Sequence, residues 1–403
     1  MQQSVFPEAH TTKPNAFPIS DLLGASRLAI EATSGITKIV ETMHRQIASA
    51  PLALDPQVAP PIQGITALVY QSIQAITGLV GSGIEAVLAP MIPLSDDAVS
   101  SPQREAALAA LNGVLGDHLA ATGNPLAISM CLRRDGQPLV LQRQLLAQSI
   151  PGACGRLLVL AHGLCMGDLQ WSRMGHDHGS ALARDLGLTP VYLLYNSGLH
   201  VSENGRMFAA MMKSLMEQWP VEVQEIVFIG HSMGGLVIRS ALHYAEADCQ
   251  WRQHVRKVVF LGTPHHGSPL ERAGNWINLA LDVSPYTTAL AGLGRVRSAG
   301  ITDLRFGNVL DEDWQGHGQF DPSPDRRLPV PLPADIECYA IAANAGKAIA
   351  DGLVPVDSAL GRHSDSARTL AFPPSHQWIA QGTGHFDLLN DPATYDQIRR
   401  WLG

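Results

Sequence analysis

The chain has 403 residues, 46% of them apolar and 16% charged, the composition of a globular protein with one large domain and a smaller appendage. Its 28 basic and 36 acidic side chains give a net charge of −8 with no basic run, so nucleic acid is not an expected partner. The five cysteines (Cys131, Cys154, Cys165, Cys249 and Cys338) are scattered, odd in number and form no CxxC, which excludes a disulfide scaffold and fits a reducing compartment.

Residues 1–12 show no basic region followed by an apolar core, so no secretory signal is expected. No stretch reaches the ~18 uninterrupted apolar residues of a spanning helix. The expected location is therefore the cytoplasm.

The chain divides near residue 100. From Ser20 to Met91 there are two apolar-periodic segments, about Leu22 to Ile47 and about Ile62 to Leu88, interrupted by Pro51, Pro56, Pro60 and Pro61. Gly64-Ile65-Thr66-Ala67-Leu68-Val69 and Ala75-Ile76-Thr77-Gly78-Leu79-Val80 are eleven residues apart, and Leu28 to Ile39 repeats the step. Eleven residues make about 3.67 per turn over three turns, which keeps an apolar stripe on one face of a nearly straight helix. Residues 1–100 are read as a helical hairpin extension. Its apolar side over residues 20–91 admits packing on the main domain, pairing with a second copy as a homo-oligomer, or peripheral contact with a membrane or lipid surface. Basic side chains are sparse there, with none from Pro51 to Ser101, and this favours packing over anionic lipid.

Residues 101–403 alternate. A helix is expected over Pro102 to Ala121, then two strands, Leu126 to Arg134 and Pro138 to Gln144, turning at Asp135-Gly136. A buried strand at Arg156 to Ala161 follows, then a helix near Gly179 to Leu186, a strand at Pro190 to Tyr195 and a helix at Asn204 to Trp219. Next come strands at Glu225 to Ile229 and Val255 to Leu261, a long irregular stretch, a strand at Ile336 to Ala342 and a last helix at Thr394 to Leu402. This pattern predicts an α/β fold, a mostly parallel sheet flanked by helices, with its site beyond the carboxyl ends of the strands.

Gly230-His231-Ser232-Met233-Gly234 reads G-x-S-x-G directly after the strand at Glu225 to Ile229, with a helix expected from near Leu236. A serine at such a turn is held in a strained conformation that projects its hydroxyl above the sheet. The hydroxyl is a poor nucleophile without an adjacent base, and the base needs an orienting group. His385 is selected as the base: it is one of 16 histidines, but it lies in Gly382-Thr383-Gly384-His385, just before the terminal helix. His363 and His376 are farther from that helix. Asp351 and Asp357 follow the strand at Ile336 to Ala342; Asp351, in Asp351-Gly352-Leu353-Val354-Pro355, is preferred as the acid, with Asp357 in reserve. Either also suits a turn cap. Two N–H groups should form an oxyanion hole, from Met233 after the serine and from Leu164 in His162-Gly163-Leu164.

Together these motifs resemble the α/β-hydrolase fold serine esterases and lipases. His162-Gly163-Leu164 looks like the oxyanion loop of that family and Gly230 to Gly234 its nucleophile elbow. Thr263-Pro264-His265-His266-Gly267-Ser268 is similar to a stretch of bacterial triacylglycerol lipases and the inositol-deacylase-like branch, and Asp351 to Pro355 and His385 to their acid loop and histidine. The resemblance covers about residues 125 to 403. Residues 267–333, with the apolar segment Trp276 to Leu281, resemble the cap insertion over the acyl pocket. The resemblance implies an ester hydrolase for lipid-like acyl substrates, without metal or organic cofactor. An acyltransferase on the same triad is the alternative, as is a lipid-surface or partner-binding protein on an inactive hydrolase scaffold. His176-Asp177-His178 with Asp168, and His265-His266 with Asp311, Asp313, His317 and Asp321, match no metal-ligand spacing and read as hydrogen-bonding loops.

Overall fold

The computed structural model describes residues 20–31, 82, 101–245, 250–268, 298–316, 325–346, 351 and 353–403. The chain divides into two compact units, residues 1–99 with 124–126, and residues 100–123 with 127–403. In the first, residues 20–31 are helical, and the Asn124 side chain donates to the Gly24 carbonyl at 3.1 Å. Most of the expected hairpin, including the eleven-residue repeats, lies outside the described residues.

In the second unit, α1 (Pro102–Ala121) starts where its sequence says it should. Pro102 takes the first position, and the Ser101 hydroxyl accepts from the Arg104 N–H at 3.2 Å. The eight strands of the described sheet are β1 (Cys131–Arg134), β2 (Gln137–Pro138), β3 (Arg156–Ala161), β4 (Thr189–Leu194), β5 (Glu225–His231), β6 (Val255–Leu261), β7 (Glu337–Asn344) and β8 (Gln377–Gln381). They lie in the order β2-β1-β4-β3-β5-β6-β7-β8. β1 is antiparallel to both its neighbours, and β3 to β8 run parallel.

Helices α2 (Arg143–Ser149), α3 (His178–Leu186), α4 (Val201–Gln218), α5 (Met233–Tyr244), α6 (Gln250–His254), α7 (Ala299–Asp303), α8 (Val356–Ala359) and α9 (Pro392–Leu402) are the other described α-helices of this unit. The central strands β3, β5, β6 and β7 are mainly apolar because both their faces are covered. Leu157, Val159, Ile226, Phe228, Val258 and Phe260 share one face and pack with Phe208, Met212 and Leu215 of α4. Leu158, Leu160, Val227, Ile229 and Val259 share the other, with Leu182 of α3 and Ile398 and Leu402 of α9. Each such fully buried side chain contributes ~1.5–3 kcal/mol.

The structure departs from the sequence pattern in several places. The opening hairpin is much shorter than expected, and Arg143–Ser149 is helical where the second strand was expected to end. The reason is edge position: β2 has only β1 to pair with and both its residues are exposed, so no burial sustains a longer ladder. Helix α5 begins at Met233 rather than near Leu236, directly after the serine. β8 and the short helices α2, α6, α7 and α8 were not expected. β8 is half-buried and bounded by glutamines, so it lacks the apolar run that marks the central strands. Of the expected cap, residues 298–316 and 325–333 are described, and Trp276 to Leu281 lies outside the described residues.

Candidate active site

The parallel registers fix which loops meet. Ala161 pairs with Gly230 across β3 and β5, and His231 with Leu261 across β5 and β6, so the loops after these strands leave the same edge of the sheet. Between β5 and α5, Ser232 makes the turn alone, with φ 52° and ψ −123°. That backbone costs a residue with a Cβ about 1–3 kcal/mol and persists because its surroundings fix it. The Ser232 N–H donates to the Leu261 carbonyl at 2.8 Å, and the Gly235 N–H donates to the Ser232 carbonyl at 3.1 Å. Gly234 is required for close approach: a Cβ there would run into the Ala161 and His162 carbonyl oxygens. The Ser232 hydroxyl is buried, with no hydrogen-bond partner among the described residues.

Asp351 and His385 meet directly. His385 Nδ1 lies 2.7 Å from Asp351 Oδ2, and both side chains are almost fully buried. An ionised carboxylate only accepts, so Nδ1 carries the proton of this bond. Asp351 Oδ1 accepts from the Leu353 and Val354 N–H groups at 2.8 and 2.6 Å, which fixes the carboxylate. Asp357 lies elsewhere, largely exposed, with its carboxylate 3.4 Å from Arg362. His363 Nδ1 accepts from the Asp365 N–H, and His376 Nδ1 lies 3.1 Å from the Cys338 carbonyl.

Ser232 and His385 are linked through His231. The His231 ring lies 4.9 Å from the His385 ring, and its Nε2–H donates to the His385 carbonyl at 3.2 Å. Burial, then the neighbouring His385, push the His231 pKa well below its ordinary value, so it is a neutral strut. At Gly163 a Cβ would stand 3.1 Å from Ser232 Cβ, which sets the His162-Gly163-Leu164 loop beside the serine. That loop is pinned from behind. The His162 ring stacks on Tyr195 at 4.2 Å, and the Tyr195 hydroxyl donates to the His162 carbonyl at 2.7 Å. Burial pulls the His162 pKa down to about 4. The Cys165 N–H donates to Ser197 Oγ at 3.1 Å, just after Leu164. Met233 is the first residue of α5, so its N–H belongs to the positive end of the helix.

Three further groups support the site from residues that the motifs do not single out for it. Gly262, at the end of β6, has φ 57°, and a Cβ there would stand 3.0 Å from both Cε1 and Nδ1 of His385. Ser268 Oγ donates to the Leu353 carbonyl at 2.5 Å, and Ser358 Oγ donates to the Gly267 carbonyl at 2.7 Å. These two bonds tie the acid loop to the loop after β6. Glycine after an apolar strand was the available signal for Gly262; the serines gave none, because their partners lie 85 and 91 residues away.

In the two clusters of metal-ligating residue types the described carboxylates have other partners, and His317 and Asp321 lie outside the described residues. Asp168 pairs with Arg133 at 2.8 Å, Asp177 caps α3 through the Ser180 N–H, and Asp311 pairs with Arg206. Asp313 accepts from the Val309 and Leu310 N–H groups. Among the described residues no group of three or more His, Cys, Asp or Glu side chains is placed to hold a metal ion. Cys131, Cys154, Cys165 and Cys338 are free thiols, and no described helix is long and apolar enough to cross a membrane.

Residues 196–326 match the family of the PGAP1-like alpha/beta domain, a span that includes Ser232 but neither Asp351 nor His385. No curated protein matches the sequence. The mature Bacillus licheniformis lipase BlEst2 is similar in structure at 20% identity, over 63% of this chain and 93% of the lipase, with a TM-score of 0.40. The Pyrococcus furiosus esterase Pf2001 is similar at 12% identity, over 62% of this chain and 80% of the esterase, with a TM-score of 0.39. Staphylococcus hyicus lipase is similar at 14% identity, over 63% of this chain and 97% of the lipase, with a TM-score of 0.34. These likenesses are too distant to carry chemistry. The sheet order, the serine turn between β5 and α5 and the PGAP1-like alpha/beta match identify the chain as a protein of the α/β-hydrolase fold.

Proposed function

We propose that the protein is a serine hydrolase of carboxylic esters with lipid-like acyl groups, working through Ser232, His385 and Asp351. The observation that carries this reading is the buried 2.7 Å pair of His385 and Asp351 on the sheet edge where the strained Ser232 turn stands. In the proposed cycle His385 Nε2 takes the Ser232 proton as Oγ attacks the ester carbonyl carbon. Asp351 holds the Nδ1–H and stabilises the imidazolium, and the Leu164 and Met233 N–H groups receive the oxyanion. His385 then gives its proton to the leaving alcohol oxygen. Water, deprotonated in turn by His385, attacks the acyl-enzyme carbonyl; the acid leaves and Ser232 Oγ regains a proton. Every proton in this cycle is carried by a side chain of the chain itself.

A fluorophosphonate tests the reading, because it phosphonylates only a serine whose proton is removed by a base. The expected result is one adduct on the Ser232 peptide of the wild type and none on folded Ser232→Ala. An unlabelled wild type that still hydrolyses p-nitrophenyl esters would place the activity on another residue.

A further inference from the structure

Arg239 lies seven residues beyond Ser232, about 10 Å farther along α5. Its side chain is more than nine-tenths buried. Two neutral groups meet it: the Val330 carbonyl accepts from Nη2 at 2.8 Å, and His265 Nδ1 stands 3.4 Å from Nη1. Among the described residues no carboxylate pairs with it. A second guanidinium, Arg327, is close enough to repel it, but Arg327 has its own carboxylate, Asp325, at 2.8 Å. Burial, then the Arg327 charge, pull the Arg239 pKa down to about 10, which leaves it a cation at neutral pH. Asp313 acts on it only weakly and from a distance, and its direct hydrogen-bond partners are neutral; a buried cation so placed is expensive to maintain, and an anion beside it removes most of that cost.

Arg239 also lines a cavity of about 440 Å³. Leu242, Phe260, Val330 and Leu332 supply apolar walls, and Ala334 is an exposed residue of the lining. Arg252 lines it too, but its guanidinium is engaged by both oxygens of Asp335 at 2.8 and 3.0 Å. The cavity therefore combines mainly apolar walls with one cation that, among the described residues, no carboxylate pairs with directly. Apolar walls select for a hydrocarbon body, and a lone guanidinium selects for a planar two-oxygen anion that takes two parallel N–H bonds.

We propose that this cavity, between α5, β6 and the 330–334 segment, is a binding site for an alkyl carboxylate whose head pairs with Arg239. The site is separate from Ser232 and does not depend on the hydrolytic reading. An aliphatic body along Leu242, Val330 and Leu332 supplies the apolar contacts. The carboxylate supplies the direct charge partner that no described residue gives Arg239.

Calorimetric titration of the full chain with octanoate tests this, with 1-octanol (chain without charge) and acetate (charge without chain) as comparisons. Octanoate is expected to bind one site per chain, and each comparison ligand at least about tenfold more weakly. Arg239→Met, which removes the charge, and Ala334→Trp, which fills the cavity from its exposed rim, are each expected to weaken octanoate by about tenfold or more. Circular dichroism establishes that each variant is folded. If Arg239→Met does not fold, Ala334→Trp and the octanol comparison decide alone. Absence of octanoate binding to the wild type, octanol binding as tight as octanoate, or undiminished binding by folded Ala334→Trp would each overturn the proposal.

Discussion

Asp351 divides its carboxylate between two tasks: Oδ2 faces His385 Nδ1 at 2.7 Å, while Oδ1 takes the N–H groups of Leu353 and Val354. The backbone holds the oxygen that does not meet the imidazole, so the other cannot turn away from it. Asp351→Asn keeps the volume, but an amide facing His385 favours the wrong imidazole tautomer. Ester hydrolysis should fall by about 10³–10⁴-fold in kcat with little change in KM. Steady-state kinetics on p-nitrophenyl butyrate checks this, and a loss under tenfold would remove Asp351 from the role.

Ser232 separates stability from activity. Its φ of 52° is costly for any residue with a Cβ. Ser232→Gly should abolish hydrolysis and raise stability by about 1 kcal/mol, the strain relief exceeding the entropy cost of glycine. Ser232→Ala should abolish hydrolysis without that gain. Urea unfolding of the three proteins, beside their rates, makes the comparison.

Gly262 is the test of the packing around His385. A methyl group there meets the ring at 3.0 Å and sits on a backbone with φ 57°. Gly262→Ala should lose about 1–3 kcal/mol of stability and shift His385 enough to lower kcat. A variant with unchanged kcat would show that the ring tolerates displacement.

His200 makes stability depend on pH in a defined direction. Its Nδ1 lies 3.1 Å from the buried Asp303 Oδ2, and its ring stacks on Trp314 at 3.7 Å. Burial opposes its charge, but the bond to Asp303 and the Asp303 charge outweigh it and raise the pKa. The folded value lies above the unfolded one, so the stabilisation is complete below about pH 6.5 and fades as pH rises through the folded value. The Tm difference between wild type and His200→Gln should therefore shrink from about pH 6 to about pH 9. A difference that grows over that range would reverse the assignment.

Acid acts through other histidines. Burial holds both His162 and His178 neutral, with pKa values pulled down to about 4. The unfolded chain binds protons there first, so stability should fall as pH drops from about 6.5 toward 4, by roughly 3 kcal/mol for each histidine. Replacing His178 by Gln should flatten part of that decline in a pH series of thermal unfolding.

Local pattern made β3, β5 and β6 legible, because a strand covered on both faces reads as a mainly apolar run. It also marked Ser232, since a serine between glycines after such a run has few other reasons to be there. The same signal failed for β8, whose half-buried residues alternate too weakly, and for the second opening strand, whose β propensity had no second neighbour to pair with. Ser268 and Ser358 looked like ordinary loop serines, and only the folded chain brings them to the carbonyls they hold. By itself the sequence determined the types of the long central elements, the sheet class and the order in which Ser232, Asp351 and His385 occur, because hydrophobic period and turn chemistry are local. Tertiary structure alone decided that Asp351 rather than Asp357 faces His385, that Gly262 makes room for the ring, and that Arg239 is buried with no carboxylate paired to it among the described residues. Those relations join residues far apart in the chain, and only packing of the sheet and its loops sets the distances between them.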